Sequence, residues 1–294
     1  MPGLKEVRIR IASVRSTQQI TNAMKMVAAS KLRRAQNAIL KLRPYAAKLR
    51  EIMQNLSVGA EEGSPSSFTV VRKPDRILLV VLTSNRGLCG AFNANVIKTT
   101  LDRIHRTYDV QNQRESVELI TIGKKGTDFF RKRKYRIVET WDHLFDSMSF
   151  DTVALQADLL MRLFSEEKVD RIELIYNQFK NASVQRLVVK PYLPVESQPG
   201  EQSAGKPAAD YLFEPDRETI LLELTPKTLR IQLFEALLDS YAAEMGARMT
   251  AMQQATDNAQ ELLKELRITY NKARQNQITR EIIEIVSGAE ALKG

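Results

Sequence analysis

Apolar residues recur in alternating steps of three and four at both ends of the chain. From the start the series reads Leu4, Val7, Ile11, Val14, Gln18, Thr21, Lys25, Ala28, Leu32, Ala35, Ile39, Leu42, Ala46, Leu49, Met53, Leu56. Near the end it reads Leu238, Ala242, Met245, Met249, Met252, Thr256, Ala259, Leu263, Leu266, Tyr270, Ala273, Gln277. A period of 3.5 kept for so many turns is a coiled-coil pattern, not that of a helix lying on a globular core. It predicts helices over 4–56 and 217–290, roughly 80 and 110 Å long at 1.5 Å per residue. Pro44 and Pro226 are expected to kink or locally interrupt them, because proline lacks a donor and clashes one turn back. Two such helices at opposite ends of one chain can pair antiparallel. The middle must then fold as a separate body that returns the chain to its start.

That middle has the period of strands. RILLVVLTS (76–84) is a short branched apolar run, as in a parallel strand buried on both faces. SVELITIG (116–123) and RIVETW (136–141) are further strands, and RIELIYNQF (171–179) with SVQRLVVKPYLP (183–194) reads as a hairpin. Helical stretches fall between them, from Ala91 to about Tyr108, after Lys124, and over 151–167. Strand–helix alternation implies a mostly parallel sheet with helices on its faces. Residues 59–67 and 195–209, rich in Gly, Pro and Ser, read as exposed loops. The chain thus divides into an N-terminal coiled-coil helix (1–58), an α/β head (68–195) and a C-terminal coiled-coil helix (210–294).

Composition narrows the function. A net charge of +9 over 294 residues calls for an acidic partner: nucleic acid, anionic lipid or acidic protein surfaces. One cysteine excludes an internal disulfide framework and leaves no second thiol for a redox switch. No apolar run is long enough to cross a membrane, and the N-terminal seam, starting at Leu4, leaves no room for a targeting segment.

Candidate chemistry is thin. TSNRGLCGAFN (83–93) is a Gly-rich strand-to-helix loop, where α/β proteins often hold ligands, but it matches neither the Walker A pattern nor GxGxxG. A tight turn closing against a neighbouring element is the simpler reading. The same holds for IGKKGTDFF (122–130). Cys89 with His105 or His143 would be a sparse nucleophile constellation; a small buried thiol is the ordinary alternative. No His, Cys, Asp or Glu cluster has metal-ligand spacing. No catalytic, cofactor-binding or metal residue is assigned. Basic RKRK (131–134) reads as a solvated helix end, and Met245, Met249 and Met252 as seam packing.

More informative is the polar break at Gln18, Thr21 and Lys25, while Ile20, Met24 and Val27 occupy an adjacent face. The apolar stripe is therefore expected to shift around the helix there. The C-terminal seam turns polar at Gln277 and Arg280, and an antiparallel pairing is expected to bring the two breaks to similar height. Either this is a register-setting polar layer or this level faces another protein.

IASVRSTQQITNAMKMVAASKLRRAQ (11–36) resembles the N-terminal helix of the gamma subunits of F-type ATP synthases. TSNRGLCGAFN is similar to that family's Gly-Leu-Cys-Gly loop. EMGARMTAMQQATDNA (244–259) and YNKARQNQITREIIEIVSGAEA (270–291) resemble its C-terminal helix and closing signature. The resemblance implies an α/β protein with a long antiparallel coiled coil, in which the terminal helices form a shaft and a Rossmann-like head lies between them. It implies a non-catalytic rotor subunit without cofactor, coupling ion flow to ATP synthesis or hydrolysis. Implied partners are three alpha and three beta subunits, an epsilon subunit and the membrane c-ring, with no nucleic acid and with the membrane reached only through the complex. The implied location is peripheral, on the cytoplasmic face of the bacterial plasma membrane. Residue by residue, the motifs carry rotor–stator contact to Met24, Lys25, Arg248, Gln275, Thr279 and Glu281, and foot contact to Tyr211 and Phe213.

Two other classes compete. A coiled-coil adapter or nucleic-acid-binding protein would use the charge, but acids are interspersed with bases along the C-terminal helix and form no single stripe. An α/β enzyme with an oligomerisation stalk would need a ligand site that the motifs do not supply.

Overall fold

In the computed structural model, the described residues are 3–57, 68–145, 148–182, 184–195 and 216–291. Helix α1 covers Leu4–Ser57. Strand β1 (Ile77–Leu82), helices α2 (Phe92–Asp102) and α3 (Asp109–Gln113), strand β2 (Val117–Ile122), helix α4 (Lys124–Lys132), strand β3 (Ile137–Thr140), helix α5 (Phe150–Ser165), the strands β4 (Arg171–Phe179) and β5 (Gln185–Leu193), and helix α6 (Arg217–Ala291) follow. Two compact units result. One comprises residues 1–28 with 248–294, the other residues 29–247.

The larger unit is built on a five-stranded sheet of order β3-β2-β1-β4-β5. The first four strands are parallel and β5 closes the edge as an antiparallel hairpin with β4. Central β1 is apolar at all six positions, and all six are buried. Strand periodicity divides them between two faces. Leu78, Val80 and Leu82 pack with α5 (Val153, Leu160, Phe164) and with α6 (Leu229, Leu233, Leu237). Ile77, Leu79 and Val81 pack with Val96, Ile104, Tyr108 and Phe130. Each such side chain contributes about 1.5–3 kcal/mol relative to exposure, so the sequence run that reads as a doubly buried strand is also the main source of cohesion. A further apolar patch joins α1 to α6 through Ala46, Leu49 and Ile231. Ser149 caps α5 by accepting from the Thr152 amide at 3.2 Å, and Asp216 caps α6 by accepting from Thr219 N at 2.8 Å.

Three expectations need correction. Pro44 and Pro226 lie inside α1 and α6 without ending either helix. Each removes one bond to the carbonyl four residues back. Those residues, Leu40 and Leu222, are on the exposed face, where water can take the freed acceptor. The helix expected to run to Tyr108 ends at Asp102 and passes into a π-turn at Arg103–Thr107, closed by Tyr108 N donating to Arg103 O at 3.1 Å. The wider turn turns Arg103 and Tyr108 to one side. Both reach the buried Glu173 carboxylate: Arg103 Nε at 2.7 Å, Tyr108 Oη at 2.6 Å, with Arg171 Nε at 3.1 Å. Burial pushes the Glu173 carboxyl up, but the bonds from Arg103 and Tyr108 outweigh it and hold the group below the ordinary carboxylate range. Finally, the short α3 has no counterpart in the sequence reading.

Candidate interaction surface on the paired helices

In the smaller unit α1 and α6 run antiparallel. Arg8 Nη2 donates to Tyr270 Oη at 3.1 Å, and Thr21 Oγ1 meets Thr256 Oγ1 at 2.8 Å. Thirteen residues forward on one helix thus match fourteen back on the other. Val7, Thr21 and Ala28 are buried with Met252, Thr256, Ala259, Leu263 and Leu266. These are seam positions of the heptad reading, polar ones included.

The stripe therefore does not shift at the polar break. Of the apolar alternatives, Ile20 and Val27 are each 57% exposed and Met24 is half-buried, whereas Thr21 is buried. The hydroxyl pair explains this, because a buried polar side chain is tolerated when its bonds are made. The expected alignment of the two polar breaks is also overturned. Thr21 faces Thr256, and Gln277 lies 21 residues farther along α6, roughly 30 Å at 1.5 Å per residue.

The contact residues implied by the resemblance fall on two levels. Met24 and Lys25 are half-buried and Arg248 is buried. Gln275, Thr279 and Glu281 are exposed and begin roughly 40 Å from Arg248 along α6. At this second level Thr279 Oγ1 donates to Gln275 O at 3.0 Å, and Gln277 Nε2 donates to Glu281 Oε1 at 2.9 Å. Tyr211 and Phe213 lie outside the described residues.

The register has a consequence that the heptad count misses. Leu4 is level with residues 273–274, and every side chain from Arg274 to Ala291 is exposed. Ile278, Ile282, Ile283, Ile285 and Val286 are among them. A run of large apolar residues held open along one helix end is the feature expected of a surface that meets another protein. The signal was present in the sequence as ITREIIEIV (278–286), apolar beyond the last α1 partner. Reading it required the register.

The Gly-rich loop lies at the carboxyl end of β1, beside β4, where open α/β sheets leave a ligand crevice. Here the crevice is filled. Cys89 and Phe92 pack with Phe179 and with Ala243 and Ala247 of α6. Asn93 Nδ2 donates to Cys89 Sγ at 3.3 Å, and Ser84 Oγ lies 3.7 Å from that sulfur. His105 shares a 3.0 Å hydrogen bond with Tyr135. The second glycine loop is equally committed. Gly123 has φ 101°, and a Cβ there would strike the Thr83 carbonyl. The amides of Gly123, Lys124, Lys125 and Gly126 donate to Asp142 Oδ1, Asn85 Oδ1, Ser84 O and Thr83 Oγ1. Four successive amides that could have cradled a phosphate are spent on the fold.

The chain matches the protein-family model described as ATP synthase over residues 3–292. It is 51% identical over 294 residues to the ATP synthase gamma chain of Flavobacterium johnsoniae, covering both chains fully. It is 50% identical over 295 residues to that of Cytophaga hutchinsonii, covering 99% of each. Among solved structures it is similar to a chain of the Euglena gracilis mitochondrial ATP synthase OSCP/F1/c-ring assembly, with TM-score 0.71, 24% identity, and coverage of 98% of this chain and 94% of that one. A chain of the Tetrahymena thermophila mitochondrial central stalk and c-ring aligns with TM-score 0.57 and 25% identity, over 80% of this chain and 99% of that one. At such identities the structural likeness speaks for the fold, and the near-half or greater identity to full-length bacterial relatives speaks for kinship. The chain belongs to the family of ATP synthase gamma chains.

Proposed function

We propose that this chain is the central rotor shaft of a bacterial F-type ATP synthase, and that it couples ion flow through a membrane c-ring to ATP turnover on beta subunits. The single observation that carries this reading is the exposed apolar end of α6 in a chain that is half identical, over its full length, to gamma chains. In this reading residues 1–58 and 210–294 form the shaft inside a ring of three alpha and three beta subunits, and residues 68–195 form the head. Tyr211 and Phe213 belong to the foot that meets epsilon and the c-ring. The complex sits peripherally on the cytoplasmic face of the plasma membrane, and the chain reaches the membrane only through it. The chain itself performs no chemistry. Its shaft is asymmetric, so turning it presents different side chains to each beta subunit in turn. The net charge of +9 favours acidic loops on those subunits.

Two contact levels follow. Met24, Lys25 and Arg248 serve one; Gln275, Thr279 and Glu281, with Ile282 and Ile283 beside them, serve the other. Met24→Lys tests the first. A second cation next to Lys25 adds an ion pair with an acidic loop that must break at each step. ATP-driven proton pumping in vesicles should fall per ATP hydrolysed, while assembly and hydrolysis suffer less. Undiminished pumping per ATP in the variant would remove the proposed contact at this level. Failure to recover alpha, beta and epsilon partners with the tagged chain would remove the whole reading.

A further inference from the structure

Where α6 crosses the β4–β5 edge of the larger unit's sheet it carries a buried carboxylate, Asp239. Asp239 is 3% exposed. Among the described residues, its Oδ1 and the neighbouring Ser240 Oγ are the buried side-chain oxygens that make no hydrogen bond. Charged and polar groups face it from every element packed there. Glu235 lies one turn back on α6 and is itself 3.4 Å from Arg50 of α1. Arg43 of α1, Gln178 and Tyr176 of β4 and Lys190 of β5 complete the surround. Gln178 supplies a side-chain hydrogen bond to the carboxyl.

An ionised carboxylate in this place is poorly served. It has one unpaired oxygen out of reach of solvent and a second carboxylate a turn away. The cations do not compensate fully, because Arg50 engages Glu235 and Lys190 is half-buried, its own charge disfavoured by burial. Neutralising the carboxyl removes the like-charge repulsion and turns an acceptor-only group into one that can also donate.

We propose that Asp239 is a proton-operated latch in the larger unit: with its carboxyl neutral the α6 segment seats firmly on the β4–β5 hairpin, and with its carboxyl ionised that seat loosens. Burial first, then the Glu235 charge, push this carboxyl up to about 6, against the pull of Arg43, Gln178 and Lys190. A raised folded-state value means that the folded chain holds more protons than the unfolded chain between the ordinary carboxyl range and about pH 6. The stability contributed by this site therefore rises as pH falls through 6 and is lost as pH rises through it.

The test is amide hydrogen exchange of the full chain from pH 7.5 to 5.0, corrected for intrinsic rates and read on peptides covering 185–193 and 236–247. Protection in the parent relative to Asp239→Asn should rise roughly tenfold between pH 7 and 5, because pH 5 lies one decade of proton activity below a folded-state value of about 6. The isosteric Asn variant should show the protected behaviour at both ends. Glu235→Gln should move the midpoint to lower pH, and Lys190→Met should move it to higher pH. A pH response arising elsewhere in the chain would not move its midpoint with the charges of Glu235 and Lys190. Identical pH profiles in the parent and Asp239→Asn would overturn the proposal. So would a midpoint that ignores both neighbour variants, a readout that survives even if the Asn variant misfolds.

Discussion

The paired helices of residues 4–28 and 248–291 and the α/β unit of residues 29–247 use isoleucine in opposite ways. In the α/β unit Ile77, Ile120 and Ile122 are fully buried between strands and helices. On the paired helices Ile20, Ile278, Ile282, Ile283 and Ile285 are exposed, while threonine hydroxyls occupy the seam. Hydrophobic burial is therefore the organising force of one unit and is partly withheld in the other. An exposed apolar face persists on a folded protein when its burial happens elsewhere, in a partner. In the proposed reading this contrast marks the surface on which function acts, and mutations can probe it from either side.

The largest expected effect lies in the core. Ile120→Ala deletes buried methyls from the strand next to β1 and should cost about 4 kcal/mol in a denaturant titration of the full chain, within the 2–5 kcal/mol range for such truncations. Ile283→Ala, the same chemical change on α6, should leave unfolding within about 0.5 kcal/mol, and should weaken recovery of the assembled complex. Equal losses of chain stability at the two positions would abolish the distinction between the units.

Next comes the buried charge cluster. Glu173→Gln keeps the shape but leaves Arg103 and Arg171 facing a neutral amide. The expected cost is about 3 kcal/mol at pH 7, at the low end for a broken buried pair because both arginines retain some access to water. The pH dependence has a definite sign. The folded-state value of Glu173 is lowered, so its stabilisation is present above the ordinary carboxyl range and disappears as pH falls through the lowered value. Acid unfolding of the parent and the variant should converge there. This is opposite to Asp239, a carboxylate buried in the same unit. Bonds to cations decide the one case, and an unpaired oxygen beside a like charge decides the other.

Much of this architecture was legible in the sequence, for identifiable reasons. The sequence predicts strand β4 over 171–179, its observed span, because branched and aromatic residues bounded by charge have one economical conformation. The heptad seam held at every position from Leu4 to Met53, Thr21 and Lys25 included, since a period fixes the face that a helix buries. A period does not fix what stands opposite. The register rests on pairs such as Thr21–Thr256, 235 residues apart. Without that register the period alone puts the polar breaks at one height and leaves the open end of α6 indistinguishable from a paired seam. The π-turn was hidden for the same reason, because its benefit is a contact between Arg103 and Glu173, 70 residues apart. Pro44 and Pro226 do not end their helices, because the carbonyls they free are exposed, and that exposure cannot be read locally.

The smallest effect concerns the threonine pair that sets that register. Each hydroxyl has one proton, yet three bonds are within reach: Thr21 Oγ1 to Gln18 O at 3.0 Å, Thr256 Oγ1 to Met252 O at 2.8 Å, and the 2.8 Å contact between them. Two protons cannot make three bonds. Removing one hydroxyl therefore strands nothing, because the survivor returns its proton to its own helix carbonyl. Thr21→Val and Thr256→Val should each cost only about 0.5–1 kcal/mol, the net value of a single hydrogen bond. The double variant should cost less than the sum, because two valines extend the apolar seam between Val7 and Ala28. A double-mutant cycle by thermal unfolding measures the coupling, expected at about 0.5 kcal/mol. A coupling near zero would mean that the pair does not hold the two helices in register. Single losses above about 2 kcal/mol would mean that the seam depends on a polar layer as rigidly as the α/β unit depends on its core.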